Sequence, residues 1–91
     1  MNKNEFLNSS GVQVQTLEFW LEQRWLIPEE TSAGSQFSDA DVARAHLIHD
    51  LKHDFGANDE GIDVILHLVD QLHGLRRAFV ELQEEIQKRP L

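Results

Sequence analysis

Apolar residues along this chain recur at steps of three and four, and sustained alternation is missing. That is the period of helices with one buried face. Leu17, Trp20 and Leu21 follow it, with Trp25 at the margin. Val42, Ala45, Ile48 (or Leu47) and Leu51 form a second stripe. Ile62, Ile65, Val69, Leu72, Phe79 and Ile86 form a third, flanked at strict sevens by Leu68, Leu75 and Leu82. The pattern predicts four helices. A short one spans about Lys3–Asn8, a second about Val14–Trp25, a third runs from Asp39 through about Phe55, and a long one covers Glu60 to about Lys88.

Punctuation falls where these helices need it. Asn8-Ser9-Ser10-Gly11 ends the first, and Pro28 bars continuation of the second because it lacks an N–H and disfavours helix before it. Ser38 is a good N-cap, with Asp39 and Asp41 in a first turn where the helix dipole favours carboxylates. Gly56 breaks the third helix, Asn58 or Asp59 caps the fourth, and Pro90 stands at a frayed end. EETSAGSQFS, Glu29–Ser38, reads as a polar loop, at most a short hairpin or a strand near Gln36-Phe37. The fold class expected is all-α, with a small polar wing and a long C-terminal helix of coiled-coil character. Residues 1–91 read as one domain, with a helix-turn-helix part over about 1–57 and a packing and dimerisation helix over about 58–89.

Seven-residue spacing marks a coiled-coil seam. The Ile62–Leu72 half of the last helix is expected to pack inside the molecule. The distal residues Leu72, Leu75, Phe79, Leu82 and Ile86 are expected to form a homodimer contact. A chain of 91 residues buries only about 60–65% of its unfolded surface, so a second copy or a partner can complete the core.

Charge changes the picture. The stretch GVQVQTLEFWLEQRWLIPEE has the outline of a DNA-reading element, a small turn, a helix and a closing proline. Yet it carries one cation, Arg24, against Glu18, Glu22, Glu29 and Glu30. The whole chain has net charge −8, most negative between residues 31 and 75. Phosphate contacts by Lys and Arg supply most nonspecific DNA affinity, so DNA binding is disfavoured. A negative field of this kind suits a basic surface on another protein.

Catalytic and metal chemistry finds little footing. The absence of cysteine removes disulfides, thiolate metal sites and a Cys nucleophile. His46, His49 and His53 lie on one face of a helix but lack an HExxH pattern, and solvated surface histidines are the better reading. His67 and His73, six apart, read as flanks of the packing stripe. The paired carboxylates sit at helix starts and on polar faces, not in a cleft that would shift their pKa. No phosphate-binding glycine loop or Gly-x-Ser-x-Gly context occurs. No enzyme, cofactor or metal is expected. No segment reaches the ~20 apolar residues of a membrane span, and the N-terminus has no signal-peptide run, so a cytoplasmic protein is expected.

The order short helix, SGV, TLEFWLEQRWLIP, a loop ending in F-x-D-x-D and then VARAHLIHDLKHDFG resembles the winged helix-turn-helix of the MerR family. The second half is similar to one branch, the CbpM chaperone modulators. The matching positions are Arg44-Ala45, Asp50-Leu51, Gly61-Ile62, Val64, Leu66, Leu68, Asp70 and Leu75. That resemblance implies a dimerising regulator that binds the J-domain of a DnaJ/CbpA-like cochaperone and blocks its Hsp70-facing surface. It departs from DNA-binding relatives at Glu18, where TLRYYE-type readers have Arg, and in a wing without Lys or Arg. Glu18, Glu22, Asp39 and Asp41 are the candidate contacts, with Trp25 as a possible interface anchor, although core packing is its stronger reading. The competing function is that of a MerR-like DNA-binding transcriptional regulator, and a plain oligomerisation module is a third.

Overall fold

The computed structural model describes residues 1–89, so Pro90 lies outside it. Its elements are α1 (Lys3–Ser10), α2 (Val14–Glu22), β1 (Glu29–Thr31), β2 (Gly34–Gln36), α3 (Asp39–His53) and α4 (Asp59–Lys88). The architecture is the expected all-α one, with a two-stranded antiparallel hairpin in place of the polar loop. Glu29 pairs with Gln36 and Thr31 with Gly34, and the Thr31 hydroxyl donates to the Gly34 carbonyl across the turn.

Caps fix most helix starts. Asn2 and Ser38 each form a reciprocal capping box, with Glu5 and Asp41 respectively, and Asn58 accepts from the Gly61 N–H. Asn58, not Asp59, is therefore the α4 cap. The end of α2 differs from expectation. Helical hydrogen bonding stops at Glu22, and Arg24 turns left-handed at φ 60°. The Arg24 N–H reaches the Leu21 carbonyl and the Trp25 N–H the Trp20 carbonyl, a Schellman closure. Trp25 is thus the residue after the stop, folded back toward the apolar face of α2. Apolar spacing cannot separate the last residue of a helix from one returned to the same face by its cap. Glycine is the residue that bears this conformation without Cβ strain. Arg24→Gly is expected to raise stability by about 0.5–1 kcal/mol in urea denaturation.

The core draws on every helix. Phe6 from α1, Leu17 and Trp20 from α2, Trp25 and Leu26 after it, Phe37 before α3, Ala45 and Ile48 from α3, and Ile62 and Leu66 from α4 are all buried. Phe6 stacks on Phe37 at 4.5 Å, and the N-terminal ammonium donates to the Phe37 carbonyl at 2.7 Å. The chain start is thereby tied to the entrance of α3.

Helix α4 meets this core only with its first three turns. Ile62 and Leu66 are buried, Ile65 and Val69 are half-buried, and every residue from Asp70 to Arg89 is exposed. Leu72, the residue that the sequence reading assigns both to the inward half and to the dimer contact, is exposed as well. At 1.5 Å per residue α4 is about 45 Å long, so more than half of it projects from the domain.

Candidate functional site

The helix-turn-helix is built from α1, the turn Gly11–Gln13 and α2. Gly11 closes α1 in the left-handed region, at φ 72°, and its N–H bonds the Leu7 carbonyl. Leu17 and Trp20 anchor α2 inward, leaving Gln15, Glu18 and Glu22 exposed on the opposite side. In this architecture the second helix is the one that enters the DNA major groove. Here that helix has no cation on its outer face. The Lys3 ammonium of α1 is held by Glu18 at 3.2 Å. The adjacent hairpin adds Glu29 and Glu30, both exposed, and no Lys or Arg.

A groove of about 460 Å³ runs between the end of α2 and the hairpin. Leu21, Leu26, Ile27 and Pro28 give it apolar walls, and Glu22 and Glu30 stand at its edge with Arg24. Ile27 is 69% exposed, an apolar side chain presented to solvent between carboxylates. Neither Ile27 nor Glu30 was a candidate from sequence. The signal for Ile27 is Pro28, which biases the residue before it to extended backbone and away from a helical face.

The structure separates the sequence candidates. Glu18 and Glu22 share the exposed side of α2, and Glu22 also lines the groove. Asp39 and Asp41 lie in the first turn of α3, and neither lines it. Asp41 is committed to the capping box, its carboxylate accepting from the Ser38 N–H at 2.9 Å. Trp25 is no surface anchor. It is 3% exposed, meets Phe19 edge-to-face, and donates from its indole N–H to Asp63 at 3.1 Å. The distal residues Leu72, Leu75, Phe79, Leu82 and Ile86 are all exposed on α4.

With geometry and charge in place, comparison with family models gives one match. The model described as MerR HTH family regulatory protein fits residues 1–86, nearly the whole chain. The chain belongs to the MerR family of helix-turn-helix regulatory proteins. No curated protein and no solved structure gives a match. Membership agrees with the MerR-like order of helix, turn, helix, hairpin and helices described above. It places the protein among regulators, and among the described residues no group of three His, Asp or Glu side chains could hold a metal ion. No helix of the described residues is long and apolar enough to cross a membrane.

Behind the MerR-type reading helix, a polar latch joins α4 to the rest. Arg44 of α3 donates from Nε to the Trp25 carbonyl and makes two hydrogen bonds to Asp70, at 2.6 and 3.1 Å. These bonds, with the charges of Arg44, His73 and His67, hold the Asp70 carboxyl below the ordinary carboxylate range, against a smaller opposing effect of burial. A depressed folded-state pKa stabilises above the unfolded value and ceases to do so as pH falls through the folded one. Asp70→Asn is therefore expected to cost less than about 1 kcal/mol near neutrality, since the pair is largely solvated. That difference should diminish as pH falls below the ordinary carboxylate value of 3.8, and urea midpoints of the two proteins from neutral pH into acid would check it.

Proposed function

We propose that this MerR-family protein is a chaperone modulator, which binds the J-domain of a DnaJ/CbpA-like cochaperone and inhibits it by occluding the surface that faces its Hsp70 partner. The observation that carries the reading is the acidic reading face. Glu18, Glu22, Glu29 and Glu30 are exposed where a DNA reader needs cations, and the neighbouring groove offers Ile27 as an apolar anchor. Carboxylates at that position repel phosphate and attract a basic helix on a protein. The apolar contact would carry residence time and the rim charges the rate of encounter. The exposed series Leu68, Leu72, Leu75, Phe79, Leu82 and Ile86 favours a homodimer through distal α4, so that each assembly presents two acidic faces.

Calorimetric titration against the J-domain of such a cochaperone, at two salt concentrations, tests this. Saturable binding that weakens with salt is expected. Glu22→Lys combined with Glu30→Lys should lower affinity at least about tenfold, or about 1.4 kcal/mol, with the fold intact. This pair is preferable to one including Asp41, whose replacement would also remove the α3 cap. No J-domain binding, together with sequence-specific and salt-sensitive DNA binding, would transfer the protein to the transcriptional regulators.

A further inference from the structure

A cavity of about 590 Å³ lies away from the acidic groove, between the helix-turn-helix turn and the C-terminal half of α3. Its lining is opposite in sign to the net charge of the chain. In a chain of net charge −8, no carboxylate lines it. Val12, Trp20 and Ala45 provide the apolar part of its wall. His46, His49, Lys52 and His53 present basic nitrogens along the α3 side. Volume and composition suit a small organic ligand, for which pockets of roughly 300–1,000 Å³ with an apolar lining and a few convergent polar groups are usual.

The opposite wall adds hydrogen-bond donors. Gln13 and Thr16 line the cavity, and they bracket the first turn of α2. Gln13 caps that helix with no side-chain hydrogen bond, and its first turn contains no acidic residue. Helix starts leave backbone N–H groups free and carry partial positive charge, which draws anions. The α1–α2 side of the cavity contributes no ionisable side chain, only Ser10, Gln13 and Thr16 as polar groups.

We propose that this cavity binds a small organic anion, a phosphate monoester or carboxylate with an apolar body, and that binding tightens as its histidines protonate. The head group would lie between the α2 N-terminus and Lys52, and the apolar body against Trp20 and Val12. The His49 and His53 rings lie 4.3 Å apart, tilted by 36°, which sets two imidazoles side by side on the cavity wall. Two carboxylates outside the lining temper the field. Asp50 on α3 lies 3.7 Å from His49, and Asp59 on α4 lies 3.9 Å from Lys52. The lining carries one positive charge when its histidines are neutral and four when all three are protonated. This inference is independent of the J-domain reading.

The test is an NMR titration of the full chain with phenyl phosphate, and separately with benzoate, at about pH 6 and about pH 8, on either side of the histidine range. Saturable shifts confined to residues 10–16 and 45–53 are expected. Affinity for benzoate, whose own charge is constant over this range, should be about tenfold higher at the lower pH, the effect of one added charge a few ångströms away. Lys52→Gln and His49→Gln should each weaken binding. Gln13→Asp separates binding from folding, because it supplies the missing cap yet places a carboxylate at the mouth. That variant should melt at a higher temperature and bind the anion less well. Shifts spread over every basic surface group, benzoate affinity indifferent to pH, or unchanged binding in Gln13→Asp would each overturn the proposal. So would a response to duplex DNA with none to either small anion.

Discussion

Trp25→Ala is expected to destabilise the protein by about 3–5 kcal/mol, the cost of emptying a buried aromatic site. The indole is 3% exposed, packs on Phe19 at 5.6 Å, and sits where the α2 closure, α3 and α4 converge through Asp63 and the Arg44 contact to its carbonyl. Small domains have net stabilities near the lower end of about 5–15 kcal/mol, so this one change should leave the chain largely unfolded or close to it. Urea denaturation followed by far-ultraviolet circular dichroism would show it. Trp25→Phe keeps most of the ring but loses the N–H, and should cost only about 1 kcal/mol, because Asp63 is exposed and water can replace the donor. A loss of stability in the alanine variant below about 1 kcal/mol, as for a surface position, would contradict burial.

Leu75→Glu combined with Leu82→Glu is expected to convert the proposed dimer to a monomer. Leu68, Leu72, Leu75, Phe79, Leu82 and Ile86 alternate steps of four and three, and all are exposed, Phe79 by 61%. That is the knob spacing of a two-helix seam. A buried leucine contributes about 1.5–3 kcal/mol, so losing four per dimer removes roughly 6–12 kcal/mol. A micromolar association is worth about 8 kcal/mol in total. Sedimentation equilibrium should therefore show the variant monomeric wherever the natural chain dimerises. Its helix content should also fall, because a helical arm without tertiary packing is marginal in water. A natural chain that sediments as a monomer at high micromolar concentration would remove the dimer, and the J-domain reading would then rest on a single acidic face.

These expectations divide along the line between local and distant information. Helix starts were legible because a cap is a local device: Ser38 with Asp41, and Asn58 before α4, satisfy N–H groups within three residues of themselves. The stripes of α2 and α3 were legible because a single face is buried, and Leu17, Trp20, Ala45 and Ile48 are all in the core. The shortfall lies where the chain leaves regular structure. Phe6, Leu26 and Phe37 were not singled out as core, since none of them extends a stripe of three- and four-residue steps, and only tertiary docking buries them. The register of α4 shifted toward Leu66 for a related reason. A long apolar stripe shows that a helix has a face, while the shape of the surface it meets decides where along it contact ends.

Site residues divide in the same way. Charge was readable residue by residue, so the acidic outer side of α2, with Glu18 and Glu22, followed from the helical period and belongs to the sequence alone. So did the MerR-like order of elements, which the family match covers from residue 1 to residue 86. The tertiary structure decided which charges act together. It committed Asp41 to a cap, buried Trp25, set Ile27 and Glu30 beside Glu22, and left a carboxylate-free cavity lined by His46, His49, Lys52 and His53. The physical reason is one of range. Propensity, capping and periodicity act over a few residues and are written in order along the chain. A groove or cavity joins elements tens of residues apart, and exists only once the core has fixed their distance and orientation.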